Sequence, residues 1–196
     1  MKKIITLLLM LSMVLSVSAQ KRKKSEEPTY NVTLTNGVYE SKTVVTADAV
    51  KASTLYIRTL EALSDWAGSQ SQSKINIDIQ DKDEGLVVYK GRYYMGYEKA
   101  NALYGWDTFA DFTLKVRCKD GRAQLTVTVP SMTFVWDANG NVHSYPITEF
   151  LPTYKYKGVV KIKKAAHKFP PKVPDTFDMI VDLLGKRIAQ KPDDDF

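Results

Sequence analysis

The chain has 196 residues, with 28 Lys and Arg against 22 Asp and Glu, a net charge of +6 and 44% apolar residues. That length suits one main domain with a core of its own. The single cysteine, Cys118, excludes a disulfide within the chain, and the sequence holds no internal repeat or long low-complexity region.

Lys2 and Lys3 precede the apolar run Ile4 to Val17, and Val17-Ser18-Ala19 presents small residues where a signal peptidase reads. Residues 1–19 therefore read as a secretory signal peptide. The run falls short of the roughly 20 residues that a bilayer crossing takes, and Lys21-Arg22-Lys23-Lys24 follows at once. The mature protein is expected to begin at Gln20, to be soluble, and to lie in the periplasm or outside the cell. No transmembrane segment is expected after cleavage, and no cysteine stands at the cleavage site to accept a lipid. Removing Lys2 and Lys3 lowers the charge from +6 to +4. Residues 25–150 hold 12 basic against 16 acidic residues, so the positive excess sits in Lys21 to Lys24 and in seven lysines between Glu149 and Asp175. A mildly acidic body with basic flanks results.

After a polar, basic leader at 20–38, Tyr39 to Thr46 reads as a strand, and Thr46 or Asp48 is placed to cap the helix that follows. At 100° per residue, Ala49, Ala52, Leu55, Tyr56, Leu60, Leu63, Trp66 and Ala67 share one side of that helix. Ile75, Ile77 and Ile79 then alternate with polar residues, the period of a strand with one buried face. An acidic turn, Asp81 to Gly85, leads to a second strand over Leu86 to Met95. A Tyr- and Gly-containing connection follows, and a third strand carries Phe112, Leu114, Val116 and Cys118 on one face. Lys119-Asp120-Gly121-Arg122 signals a tight hairpin, because Asp-Gly supplies positive φ. The fourth strand points Ala123, Leu125, Val127 and Val129 inward. Met132 to Trp136 and Val142 to Tyr145 flank Asp137 to Gly140 as a further hairpin, Tyr154 to Ile162 suits an edge strand, and a last helix gathers Phe177, Ile180, Val181, Leu184 and Ile188 on one face. Its acids come early and its bases late, which suits the helix dipole. The fold class is α+β, a mostly antiparallel sheet in the order β-α-β-β-β-β backed by helices on one face, with a C-terminal extension and helix.

Ser53, Leu55, Tyr56, Arg58 and Trp66 on the helix, Gly85 and Gly91 around a strand, and Lys119-Asp120-Gly121 between two strands carry a resemblance. Over roughly Val44 to Val135 the chain resembles the exported Bacteroidetes proteins grouped as a domain of unknown function with a TBP-like fold. The resemblance implies a helix-backed antiparallel sheet and brings no catalytic, metal or ligand residue with it; a shared shape does not fix a function. The expected organisation is a TBP-like α+β domain at 39–136, a Lys-rich extension at 137–173, and a C-terminal helix with a frayed tail at 174–196.

Two surfaces stand out as contact candidates. Tyr89, Tyr93, Tyr94, Tyr97, Tyr104 and Trp106 make the segment between the second and third strands aromatic, which suits a sugar or a partner and equally suits a core and rim. Lys155, Lys157, Lys161 and Lys163 fall on one face of an extended Tyr154 to Ile162, which suits a polyanion and equally a guarded edge strand. No catalytic residue, cofactor or metal is assigned. His143 and His167 have no spacing partner, the acidic turn lacks a full calcium-loop signature, and burial as a small apolar residue is the default for Cys118, with a reactive thiol as the alternative. The sheet's polar face is mixed in charge, and export removes the protein from the genome, so genomic DNA is not an expected partner. These readings favour an exported, non-catalytic cell-envelope or secreted binding module, whose partner is an envelope protein, a glycan or another polyanion. The alternatives are a small hydrolase of envelope polymers, built on a carboxylate pair such as Asp107 with Asp111, and a structural subunit of an envelope complex.

Overall fold

Strands with apolar residues at every second position must share a covered face, and the computed structural model, which describes residues 32–151 and 162–190, joins them in one sheet. Its strands are β1 (Leu34–Thr35), β2 (Val38–Thr46), β3 (Lys74–Asp81), β4 (Leu86–Lys99), β5 (Gly105–Lys119), β6 (Arg122–Trp136) and β7 (Val142–Pro146). All pairs are antiparallel, in the order β1-β2-β6-β5-β4-β3, with β7 beside the distal part of β6. Helix α1 (Ala52–Ser69) carries the chain from β2 to the far edge, and the meander β3 to β6 returns to pair with β2.

The helices take one side. Leu55, Leu63 and Trp66 of α1 pack toward Phe112 and Leu114 of β5, with the Trp66 and Phe112 rings 5.9 Å apart. Helix α2 (Lys163–Lys168) and a 3-10 turn (Pro170–Lys172) lead into α3 (Val173–Ala189), which buries Phe177, Ile180, Val181, Leu184 and Ile188 against β2, β6 and α1. Each fully buried side chain of that size contributes about 1.5–3 kcal/mol of apolar transfer. Tyr39 of β2 fastens the start of α3, its hydroxyl donating to Asp178 Oδ1 at 2.7 Å while Ser41 donates to the same oxygen.

Four sequence expectations need correction. Helix α1 begins at Ala52, not beside Asp48: Thr46 stays in the β2–β6 ladder opposite Arg122, and Ala49 turns the chain at φ +63°. The cap comes from another hairpin, since the Ala52 N–H donates to Asp120 Oδ1 at 2.7 Å. The second and third strands are longer than the pattern suggested, so the aromatic segment is not a connection but the outer part of the β4–β5 hairpin, in register from Tyr94↔Phe109 to Lys99↔Gly105. Met132 to Trp136 continues β6, past an extra residue at Val129-Pro130 where the β5 pairing shifts, a position that suits proline because no ladder donor is needed there. The isoleucines of β3 do not share one buried face: a bulge between Ile77 and Ile79 sends them to opposite sides, where they stay 45% and 43% exposed on an edge strand beyond the helices' cover. The proposed edge strand from Tyr154 lies outside the described residues, except that Ile162 is buried just before α2.

At Gly96, β4 lies against the C-terminal layer. Its φ is +133°, and a Cβ there would lie 2.6 Å from Phe169 Cε1, so the bulge between Tyr94 and Gly96 lets Phe169 lie on the strand.

Candidate functional site

Residues directly opposite in an antiparallel ladder share a face, so the register sorts the side chains of the uncovered side. From the Asp120-Gly121 turn outward, its first rows across β2, β6 and β5 are Thr46–Arg122–Lys119, Val44–Gln124–Arg117, Lys42–Thr126–Lys115 and Glu40–Thr128–Thr113. Farther out, Ser131 faces Asp111, Thr133 faces Phe109, and Val135 faces Asp107. The mixed charge read from the sequence is therefore segregated. Cations hold the turn end, and carboxylates hold the outer half.

Glu40, exposed in the row beyond Lys42, enters no ion pair among the described residues, while two acids farther across the sheet are engaged. Asp78 pairs with Lys90 at 2.9 Å, and Asp111 accepts from Arg92 Nε at 3.0 Å and from Ser131 and Thr133 at 2.7 Å each. Lys42, Lys115, Arg117, Lys119 and Arg122 enter none of the four ion pairs among the described residues, and all five are exposed. Between them run two adjoining grooves, one of about 280 Å³ lined by Val44, Arg117, Lys119, Arg122 and Gln124, the other of about 190 Å³ lined by Lys115, Arg117, Gln124 and Thr126. Sequence reasoning singled out none of these cations as a site. The alternation Lys115, Arg117, Lys119 was visible, but placing Lys42 and Arg122 beside it needs the β2–β6 pairing.

The six aromatic candidates divide. Tyr89 and Trp106 are core residues at 2% and 4% exposure, and Tyr93 packs between Trp66 and Phe177. Tyr94 and Tyr97 lie on the uncovered face beside Asp107. Tyr94 donates to Asp107 Oδ1 at 3.1 Å, and Tyr97 donates to Asp137 Oδ2 at 2.7 Å. Burial, then the bond to Asp107, pushes the Tyr94 phenol up, while the hydrogen bond to Asp137 is the main reason that Tyr97 is raised to about 12. Tyr104, at the hairpin tip, is 42% exposed.

Of the lysine candidates, Lys155, Lys157 and Lys161 lie outside the described residues. Lys163 opens helix α2 instead of ending a strand. With Lys164, His167, Lys168 and Glu98 it borders a cavity of about 550 Å³, across which Lys168 Nζ reaches Glu98 at 2.6 Å.

Asp107 and Asp111 share a face but are four residues apart along one strand, about 13 Å of rise. That exceeds the roughly 5–9.5 Å that paired glycosidase carboxylates require. Each is also tied to its own partners. The acidic turn is held by Asp81 Oδ1, which accepts from the Asp83 and Glu84 N–H groups at 3.1 and 3.0 Å, ordinary turn chemistry. No group of three or more His, Cys, Asp or Glu that could hold a metal occurs among the described residues. Cys118 is buried 3.4 Å from Thr59 Oγ1, and burial pushes its thiol up. Nor, among the described residues, is any helix long and apolar enough to cross a membrane.

A family model described as a domain of unknown function (DUF4468) with TBP-like fold matches residues 42–133. A TBP-like protein from Parabacteroides distasonis has a similar structure, with TM-score 0.57 and 10% identity, over 82% of this chain and 99% of that one. A DUF4468 family protein from Bacteroides ovatus is similar at TM-score 0.57 and 14% identity, over 88% of this chain and 100% of that one. No curated protein matches.

Proposed function

Residues 42–133 being a DUF4468 domain with a TBP-like fold, we propose that the chain is an exported, non-catalytic binding module of the cell envelope or the medium, and that the uncovered sheet face is its contact surface. The observation that carries this reading is the row of five exposed cations outside any described ion pair, on the side that the helices leave open. Exposed charge with no internal partner adds little to stability, whereas it offers a ready field to an anionic ligand. Export rests on the signal sequence at 1–19.

A second contact surface is the lysine-rich segment. The 550 Å³ cavity beside Lys163, Lys164 and Lys168 supports it, and Lys155, Lys157 and Lys161 extend the same run of charge in the sequence. Tyr94, Tyr97 and Tyr104 are what the aromatic candidates contribute to a contact surface at the outer hairpin.

The test uses residues 20–196 as bait for envelope extract, eluted in rising salt, beside Arg117→Gln/Arg122→Gln and a variant with Lys155, Lys157, Lys161 and Lys163 all changed to Gln. A ligand lost at moderate salt and lost in the first variant supports the sheet face. Loss in the second variant alone moves the site to the lysine segment, and retention in both rejects an electrostatic contact. For export, the full chain should fractionate outside the cytoplasm, and a chain lacking residues 2–19 should not.

A further inference from the structure

Resting on the sheet-face reading, we infer that the two adjoining grooves form a site for a glycan chain bearing sulfate or phosphate groups. Lys115, Arg117 and Lys119 project from the same face of β5 at every second residue, so their charges repeat at about 7 Å. The grooves meet at Arg117 and Gln124, which line both, so one chain crossing the shared wall places successive anionic groups beside successive cations. Lys42 and Arg122 lie on the neighbouring strands and widen this ladder to three strands.

What lies between the cations selects the class of polyanion. Gln124 and Thr126 line the grooves, and amide and hydroxyl groups both donate and accept. Sugar hydroxyls answer both needs, whereas a DNA backbone between its phosphates offers acceptors only. Among the described residues no aromatic ring lines either groove, so these residues offer single-stranded nucleic acid no platform for its bases, the contact that usually carries its binding. Exposed Glu40, in the row beyond Lys42, and Asp107, farther along β5, end the favourable run. A long, uniformly charged strand would lie over them, while a short charged stretch of a glycan fits the cationic half alone.

The experiment titrates residues 20–196 with a heparin octasaccharide and, separately, with a single-stranded DNA 12-mer, at several salt concentrations. The wild type should bind the octasaccharide at least tenfold more tightly than the DNA, with affinity falling steeply as salt rises. Arg117→Gln/Arg122→Gln should weaken the octasaccharide at least tenfold and flatten the salt dependence, with unchanged circular dichroism and melting temperature. Lys186→Gln/Arg187→Gln, exposed on α3 behind the sheet, should leave octasaccharide binding within twofold. Should DNA bind as tightly as the octasaccharide, and both be lost in the double arginine variant, the glycan assignment falls while the sheet face stands. Should the double arginine variant bind the octasaccharide like the wild type, or neither probe bind at all, the sheet-face reading falls with it.

Discussion

Replacing Asp120 by Ala removes a helix cap supplied from 68 residues away in the sequence. In the wild type, the Asp120 carboxylate accepts the Ala52 N–H at 2.7 Å, while Gly121 bonds to the loop before α1 twice, donating to Val50 O at 2.8 Å and accepting from Ala47 N at 2.9 Å. The N-cap of α1 is Lys51, which makes no side-chain cap bond, so nothing local replaces Asp120. Losing a cap costs about 1 kcal/mol, and losing a negative charge at a helix N-terminus adds about 0.3–1 kcal/mol. For a chain of this size the sum, about 1.5 kcal/mol, lowers the melting temperature by roughly 3–6 °C. Asp120→Asn keeps an acceptor oxygen and loses only the charge, so its drop should be less than half as large. The assay is thermal unfolding followed by far-ultraviolet circular dichroism, with urea unfolding as the equilibrium check. If Asp120→Ala melts with the wild type, or Asp120→Asn falls as far as Asp120→Ala, the hairpin does not cap α1 by this bond.

Gly96→Ala places a Cβ 2.6 Å from Phe169 at a φ of +133°, and should destabilise the fold by more than about 1 kcal/mol in urea titration, with partial recovery in Gly96→Ala/Phe169→Leu because the steric part is relieved and the backbone strain is not. In a spectrophotometric titration, Tyr97 should ionise near pH 12, and Asp137→Asn should bring it back toward 10. A phenol raised in the folded state favours folding fully below pH 10, and that contribution is lost as pH rises through about 12, so unfolding should become easier in that window in the wild type more than in Asp137→Asn. Cys118 should resist a thiol reagent in the native protein and react at the rate of unfolding, because it is buried and its thiol is pushed up; immediate reaction at neutral pH would contradict its placement.

Period-2 alternation made β5 and β6 legible, because both their apolar rows are covered along most of their length by α1 and α3. The same rule failed on β3, where Ile77 and Ile79 alternate correctly in sequence but stand at an edge the helices do not reach. Alternation reports which side chains point together only where no bulge intervenes, and it never reports whether anything lies on top of them. The outer hairpin was missed because its aromatic and glycine residues, Tyr93, Tyr94, Gly96 and Tyr97, interrupt the pattern at the bulge where Phe169 approaches. The cap of α1 could not be read locally at all, since its donor and acceptor meet only once β2 and β6 pair. The cationic face failed for a related reason: Asp78 and Asp111 enter a linear tally of that face as negative charges, yet in space they are consumed by Lys90 and Arg92.

The strand order also sets a timetable. β3, β4, β5 and β6 pair with their sequence neighbours through short turns, so that meander can assemble as soon as it is made. β2 precedes all of it in the chain yet bonds only to β6, the last member, and to the two residues of β1. A chain emerging from its N-terminus therefore exposes a strand whose partner does not yet exist, and closing that large loop is the slow, entropically costly step. In that interval the Tyr39-to-Thr46 segment and the free edge of β6 are the surfaces open to wrong pairing, and Glu40 and Lys42, charged side chains within β2, oppose it.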